Sequence, residues 1–299
     1  RPNNMIAVTG TNGKSSIANF YYQILKLNRI KVSSIGTLGI SGVNSKEKIL
    51  NTTFDPIKLN KLLEILKTKK INNTILEASS HGLKQHRLDG LKFDIGIFTN
   101  LSRDHLDYHK TYKDYLNSKL ILFKRLMKKN SYIIFDNDID ISSKLKKISK
   151  TNNLKNLSLG STDSNLKITD HRFLKLSQKV TFLLNNKNFT FVTHLIGKVQ
   201  IKNILMSILA ASKSNIPMKN IVSSIKKIKP VSGRLEKIGN LKNNSIVILD
   251  YAHTPDALEV CLKNIREQFK LRKINLVFGC GGERDKPKRK IMGRIANNY

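Results

Sequence analysis

The chain is expected to fold as an α/β protein: a mostly parallel sheet with a small antiparallel patch, followed by the start of a second α/β domain. Three observations predict this. Over the first two-thirds, short apolar runs alternate with helical patterns, the order that builds βαβ units and a parallel sheet. From Leu166 to Thr193 the pattern changes to short strands with polar turns, which is the antiparallel patch. Beyond a boundary near Pro230–Asn240, strand and helix patterns begin again.

In chain order, strands are predicted over Asn4–Thr9, Lys31–Ile35, Asn73–Glu77, Asp94–Thr99 and Ser131–Phe135. Helices are predicted over Lys14–Leu27, Pro56–Lys69, Tyr112–Lys128, Ile139–Ile148, Gly197–Lys213 and Met218–Ile228. After the boundary come strand Ser245–Asp250, helix Pro255–Phe269, strand Lys273–Phe278 and a helix from Lys288. The division is set at residues 1–236 and 237–299. Two βα units are few for an α/β domain, and Arg1-Pro2 nearly abuts the first strand. The chain is therefore read as a fragment cut at both ends.

Composition narrows the function. Of 299 residues, 39% are hydrophobic, enough for globular cores. No apolar run approaches the ~18 residues of a membrane-spanning helix, and no charged-then-apolar leader is seen. Cys261 and Cys280 form neither a disulfide framework nor a zinc pattern, which fits a reducing cytoplasm. The net charge of +33 raises nucleic acid or an anionic membrane as partners. Yet lysine is spread along the whole chain, and the densest runs, Lys67–Lys70 and Lys286–Lys290, are short. The charge is read as a background on solvated faces, with no nucleic-acid partner and no membrane insertion. Anionic substrates would still gain from the field.

The sharpest local signal is Val8–Ser16, VTGTNGKSS, between a predicted strand and a predicted helix. Backbone N–H groups of a Gly-rich loop and a helix N-terminus face a phosphate in that geometry. Lys14 reaches β- and γ-phosphates, and the Ser15 hydroxyl suits Mg²⁺. The loop is the short GxxGK[ST] form, since Val8 stands where the longer pattern has glycine. An ordinary Gly/Asn turn explains Gly10 and Gly13 but not the Lys-Ser pair. The first domain is thus a P-loop domain, and the second is expected to be Rossmann-like.

Other polar groups gather at predicted strand ends, where ligands of such sheets bind. Glu77 is either a solvated strand-end carboxylate or a Mg²⁺ ligand. Thr99–His109, TNLSRDHLDYH, places His105 and His109 four residues apart. Lys119 falls in the middle of a helical apolar stripe formed by Tyr112, Leu116, Phe123 and Leu126. A bare ammonium there is costly. It either snorkels or pairs, or it is carbamylated, which reverses its charge and offers two oxygens to a metal. Asp250–Pro255 and Gly279–Asp285 form two further polar turns, ordinary alone but suggestive together of a ligand face.

Taken together, GTNGKSS, NTT (Asn51–Thr53), EASSHGLKQHR (Glu77–Arg87), FTNLSRDHLDYH, YLNSKLILF, GRLE (Gly233–Glu236), DYAHTPDAL and FGCGGERDKPKR closely resemble the Mur ligases. The resemblance covers nearly the whole chain. Glu77–Leu83 followed by Gln85 and Arg87 points to the branch that adds a diamino acid to UDP-MurNAc-L-Ala-D-Glu. The resemblance implies that Gly10, Thr11, Asn12, Gly13, Lys14, Ser15 and Ser16 hold ATP, with Asn203, Arg234 and Asp250 on adenine or ribose. It implies Ser15 and Glu77 on one Mg²⁺, and Glu77, His105 and carbamylated Lys119 at a second. Asn51, Thr52, Thr53, Ser79, Gln85 and Arg87 would hold the muramoyl dipeptide, and Arg284 would contact the diamino acid. Lys14, Glu77, His105 and Lys119 would carry the chemistry: ATP phosphorylates the substrate carboxylate, and the amine displaces phosphate. The protein is expected to be a cytoplasmic monomer, and the added residue is expected to be meso-diaminopimelate.

Three departures are noted. Phe54 stands where the family often has proline. The family's uridine-binding domain and its Asp-Asn-Pro-Arg motif are not in the sequence, so the segment by itself is expected to be inactive. The alternatives are another Mur ligase, a folylpolyglutamate synthetase, or, remotely, a basic P-loop ATPase acting on nucleic acid.

Overall fold

The computed structural model describes residues 1–43, 51–281 and 287–299. The chain begins with β1 (Asn4–Thr9), α1 (Lys14–Leu27), β2 (Val32–Gly36), β3 (Gly39–Ser41) and α2 (Pro56–Thr68). Next come β4 (Asn73–Glu77), α3 (Ser80–Lys84), β5 (Phe93–Phe98), α4 (Leu106–His109), α5 (Tyr112–Arg125), β6 (Met127–Asp136), α6 (Ser142–Thr151) and β7 (Lys155–Leu159). The meander β8 (Leu166–Phe173), β9 (Gln178–Leu184) and β10 (Lys187–Thr193) follows, then α7 (Lys198–Ala211) and α8 (Met218–Ser224), which runs into a 3₁₀ turn. The last elements are β11 (Glu236–Asn240), β12 (Ile246–Leu249), α9 (Pro255–Gln268) and α10 (Pro287–Asn298).

Ten strands join in one sheet of order β10-β9-β8-β7-β6-β5-β1-β4-β2-β3. The pairs from β8 through β7, β6, β5, β1 and β4 to β2 are parallel. The meander and the short β3 edge are antiparallel. The predicted sheet with its antiparallel patch is therefore present. From β1 the chain crosses to β2, returns to β4, and then passes to β5 on the other side of β1. Such a reversal opens a crevice beyond the C-terminal ends of the strands, and the Gly10–Gly13 loop lies there.

The continuous apolar run of β1 has a packing reason. Ile6 and Val8 join one core with α1 and α7 residues such as Ile17, Phe20 and Ile204. Met5 and Ala7 join the opposite core with Leu59 and Leu63 of α2 and Leu120 and Phe123 of α5. A strand covered on both faces reads as apolar throughout rather than alternating. Helix starts follow capping chemistry. Asp55 accepts from the backbone N–H of Ile57 and Lys58 ahead of α2, and Thr254 accepts from Ala257 ahead of α9. Both helices carry proline in their first turn.

Four differences from expectation stand out. The helix from Tyr112 stops at Arg125 and β6 begins at Met127, so the predicted helix end belongs to a strand. Tyr112 is 46% exposed and lies outside the buried stripe, whereas Leu116, Phe123 and Leu126 are inside it. The short elements β3, α3, α4, β7 and β11 were not anticipated; three to five residues carry little periodicity. Finally, 273–278 forms no ladder, and β12 pairs with β11 in a two-stranded sheet. Ile274 and Leu276 still pack against Leu258, Leu262 and Met292, while Val277 is 98% exposed. The apolar alternation is thus expressed in packing without a strand. Cys261 and Cys280 are both free thiols. Among the described residues, no helix is long and apolar enough to cross a membrane.

Candidate functional site

The loop after β1 is shaped by two glycines and braced from the end of β5. Gly10 has φ +143°, and a Cβ there would stand 1.8 Å from Thr99 Oγ1. Gly13 has φ +88°, and its Cβ would meet Asn203 Oδ1 at 2.7 Å. Glycine is therefore required at both positions. Thr99 Oγ1 donates to the Asn12 carbonyl (2.6 Å), and Asn100 Oδ1 accepts from Asn12 N–H (2.9 Å). Ser102 N–H donates to Thr11 Oγ1 (3.0 Å). The polar density at Thr99–Ser102 thus holds the loop in shape.

Three ionisable groups surround this loop: Lys14, which is half-buried, and Glu77 and Lys119, which are buried. Lys14 Nζ donates to the carbonyls of Gly10 (2.9 Å) and Thr11 (2.7 Å). Burial pulls its pKa down, and the Glu77 carboxylate opposes that. Glu77, at the end of β4, is 2% exposed. Its Oε2 accepts from Ser15 Oγ (3.0 Å) and Thr37 Oγ1 (3.2 Å), and its Oε1 from Thr37 N–H (2.9 Å). Burial raises its pKa, opposed by Lys14 and by these donors.

Lys119 is 1% exposed, so it does not snorkel, and among the described residues it forms no ion pair with a carboxylate. Its Nζ donates to the Gly10 carbonyl at 2.8 Å and stands 4.2 Å from the Tyr115 ring centroid. Burial first, and then the Lys14 charge, hold its pKa well below the usual range for lysine.

One cleft gathers Thr11–Ser16, Glu77, His105, Asn203, Arg234 and Asp250. These are expected nucleotide and metal groups, brought together from elements far apart in sequence. A second cleft holds Asn51, Thr52, Ser79, Arg87 and Lys119. Lys14, Thr52 and His105 line both. His105 sits in a left-handed backbone conformation, 3.3 Å from Asp104 Oδ2, with its ring edge-on to His81. Burial lowers its pKa.

Thr53 and Gln85 are placed apart from these clefts, and Arg87 and Asp250 also make structural bonds. Thr53 is buried behind the wall, where its hydroxyl donates to the Glu77 carbonyl (2.9 Å) and meets Ser79 Oγ. Gln85 is exposed and donates to the Tyr108 hydroxyl (3.1 Å). Arg87 donates to the Thr53 carbonyl (2.9 Å). Arg284 lies outside the described residues. Asp250 first forms a turn, its oxygens accepting from Leu235 N–H (2.7 Å) and Ala252 N–H (2.8 Å). His109 is fully buried between Ser80 Oγ (3.0 Å) and Ser118 Oγ (3.3 Å), and braces α3 against α5.

The sequence reading missed Thr37 and Gln200, and it gave Tyr251 only as part of the Asp250–Pro255 turn. Gln200 Oε1 accepts from Asn203 Nδ2 (3.0 Å), and its Nε2 donates to the Arg234 carbonyl (2.9 Å). The Arg234 guanidinium lies 4.6 Å from the Tyr251 ring centroid. Only the strand-end position of Thr37, beside Gly36, could have flagged it. The side of the cleft formed by the Gly233–Leu235 and Asp250–His253 turns is docked onto α7 by α9. Gln268 Oε1 accepts from Gly197 N–H (2.8 Å), and Asn264 Oδ1 from Val199 N–H (3.0 Å). These satisfy the open first turn of α7, which has no side-chain cap of its own.

The donor set bears on a metal. Among the described residues, no three His, Cys, Asp or Glu side chains cluster as a self-sufficient site. Ser15 and Glu77 do present adjacent oxygens at the phosphate loop. That suits Mg²⁺, which binds through one or two protein oxygens plus substrate phosphates and water. The free Lys119 amine supplies no oxygen.

Comparison with known proteins agrees with this layout. Residues 8–211 match the Mur ligase middle domain, and residues 233–299 match the Mur ligase glutamate ligase domain. A UDP-N-acetylmuramoyl-L-alanyl-D-glutamate–2,6-diaminopimelate ligase of Rickettsia bellii is 38% identical over 99% of this chain and 62% of its own length. The Agrobacterium fabrum protein of the same name is 36% identical over 99% of this chain and 60% of its own. A solved structure of a ligase of that name superposes with a TM-score of 0.78 at 30% identity, over 100% of this chain and 60% of that one. A folylpolyglutamate synthetase complex shares the fold, with a TM-score of 0.76 at 18% identity over 100% of this chain and 79% of that one. The chain spans about three-fifths of the length of the curated relatives it matches. By its sequence match and by the architecture that carries it, the chain belongs to the Mur ligase family.

Proposed function

We propose that the full-length protein is an ATP-dependent amide ligase of peptidoglycan precursor synthesis. It would join a diamino acid, 2,6-diaminopimelate by likeness to its named relatives and expected in its meso form, to UDP-MurNAc-L-Ala-D-Glu. One observation carries the reading: Lys14, Ser15, Glu77 and Lys119 meet around one phosphate loop, where two clefts share Lys14, Thr52 and His105. The division into residues 1–236 and 237–299 is part of the same reading. So is a cytoplasmic location, where ATP and UDP-linked sugars are available.

On this reading the loop from Gly10 to Ser16 holds the ATP phosphates, with Asn203, Arg234 and Asp250 toward the nucleoside. Asn51, Thr52, Ser79 and Arg87 hold the muramoyl dipeptide in the second cleft. Its carboxylate attacks the γ-phosphorus, forming an acyl phosphate and releasing ADP. The amine of the diamino acid then attacks the acyl carbon, phosphate leaves, and the amine proton passes to solvent. Lys14 offsets the mutual repulsion of two anionic reactants. Holding three reactants together supplies much of the rate. Ser15 and Glu77 would hold Mg²⁺, which when bound neutralises phosphate charge and orients the phosphates. The depressed pKa of Lys119 favours the free amine, the form that adds CO₂. As a carbamate it would offer oxygens toward a second Mg²⁺ beside Glu77 and His105.

The test is phosphate release from ATP by the full-length protein, with meso-diaminopimelate compared with L-lysine. Release that needs both UDP-MurNAc-L-Ala-D-Glu and diaminopimelate is expected. Release indifferent to the dipeptide would reject the substrate assignment, and a folate-dependent reaction would favour the folylpolyglutamate alternative.

A further inference from the structure

We propose that Thr37 is a positioning residue that couples occupancy of the dipeptide cleft to nucleotide binding; the proposal rests on the function proposed above. Thr37 directly follows β2 and is exposed to the first cleft. It grips both oxygens of Glu77, through its backbone N–H (2.9 Å to Oε1) and its hydroxyl (3.2 Å to Oε2). The same hydroxyl lies 3.1 Å from Thr52 Oγ1. Thr52 is one of three side chains that line both clefts, with Lys14 and His105, whereas Thr37 lines only the first.

The direction of this chain of bonds follows from proton count. A hydroxyl has one proton to give, and an ionised carboxylate only accepts. The Thr37 proton therefore goes to Glu77, and Thr37 accepts the proton of Thr52. Ser15 donates to the same Glu77 oxygen from the phosphate loop. The result is one continuous relay: Thr52 to Thr37 to Glu77, met by Ser15 from the other side. Gly36 makes room for it, because a Cβ there would lie 2.2 Å from Glu77 Oε1.

A ligand in the dipeptide cleft that engages Thr52 changes what Thr37 receives, and so how firmly Thr37 holds Glu77. A nucleotide that engages Ser15 changes the load on Glu77 from the opposite end. Linked hydrogen bonds polarise one another, and coupling between two sites is reciprocal. Each ligand should therefore alter the affinity for the other through Thr37. The ordinary reading, that Thr37 merely closes the turn after β2, predicts no such link.

The experiment is calorimetric titration of the full-length protein with ADP, in the presence of Mg²⁺, with and without saturating UDP-MurNAc-L-Ala-D-Glu. The quantity read is the ratio of the two ADP affinities, so any loss common to both conditions cancels. Thr37→Val keeps the branched shape and removes the hydroxyl; Thr37→Ser restores it. The unaltered protein should show a ratio clearly different from one. Thr37→Val should move that ratio toward one by roughly three- to tenfold, the scale of a single hydrogen bond, and Thr37→Ser should recover it. Thr52→Ala breaks the same link from the other end, and should shift the ratio as Thr37→Val does if the latter folds poorly. A ratio unchanged in Thr37→Val overturns the proposal, as does a ratio of one in unaltered protein that binds both ligands; the proposed function survives either result. Failure of the unaltered protein to bind the dipeptide overturns both.

Discussion

The two walls of the cleft proposed to hold the nucleotide are built differently. The near wall comes from β1, β4 and α5. Its Glu77 and Lys119 are buried and pinned at the end of the sheet: Glu77 by Ser15 and Thr37, Lys119 by the Gly10 carbonyl. The far wall comes from the turns around Gly233–Leu235 and Asp250–His253. Tyr251 there is 62% exposed, and its neighbours are held by backbone turns and by α7. The near wall thus fixes charge at preset positions, which suits groups that act on reacting phosphates. The far wall depends on docking, which suits recognition of a nucleoside. Two walls built this way should fail separately.

The largest effect expected is on the near wall. Lys119→Ala in the full-length protein should lower ligase turnover by roughly 10²–10³-fold, the scale for losing one preorganised electrostatic group. Short carboxylic acids should restore part of it if the functional form is a carbamate. Full activity without added acid would remove Lys119 from the site. ADP affinity should change far less than turnover, because on the proposed reading the nucleoside contacts lie on the far wall.

The sequence made these walls unequally legible. Glycine, lysine and serine at fixed offsets between a strand and a helix have almost no other use, so the loop was visible. So was Lys119, a charge in the middle of an apolar stripe, although Tyr112 turned out to lie outside that stripe. Thr99, Asn100 and Ser102 were noticed for their polarity, but only the structure shows that they brace the loop. Thr37 and Gln200 act through partners 40 and 34 residues away, a separation that leaves no local pattern. The missing 273–278 ladder was not legible either: apolar alternation specifies which side chains face inward, but a strand also needs a partner, which the alternation does not supply.

A smaller effect tests the foundation of the near wall. His109 is held near pKa 4, against an ordinary 6.5. Burial is the main cause, followed by the charges of His81, Lys84 and Lys119, with Asp114 opposing. Between those values the unfolded chain binds a proton that the native protein refuses. Stability is therefore intact above about pH 6.5 and falls as the pH drops toward 4. The contribution is on the order of 2 kcal/mol across that window, by linkage. Denaturant unfolding at pH 7 and pH 5 should show a smaller acid loss in His109→Gln than in the unaltered protein. Equal acid loss in both would show that the imidazole is not what titrates.

The smallest effect addresses the far wall and decides whether the walls are separable. Asn264 and Gln268 of α9 serve as the N-terminal cap of α7, each accepting one of its leading N–H groups. Replacing a capping asparagine by alanine costs about 1 kcal/mol. Asn264→Ala should lower stability by about that much. Gly197 contributes to the fit, since a Cβ there would press on Asn264 at 2.8 Å. Hydrogen exchange locates the damage. The amide of Val199 and those of α9 should lose protection, while Thr11 and Asn12 N–H, held by the Asn100 carbonyl and side chain, should keep theirs. Equal loss at Thr11 and Asn12 would mean that the two walls open as one unit. In that case the near wall would owe its order to the docked helix as well as to its own sheet.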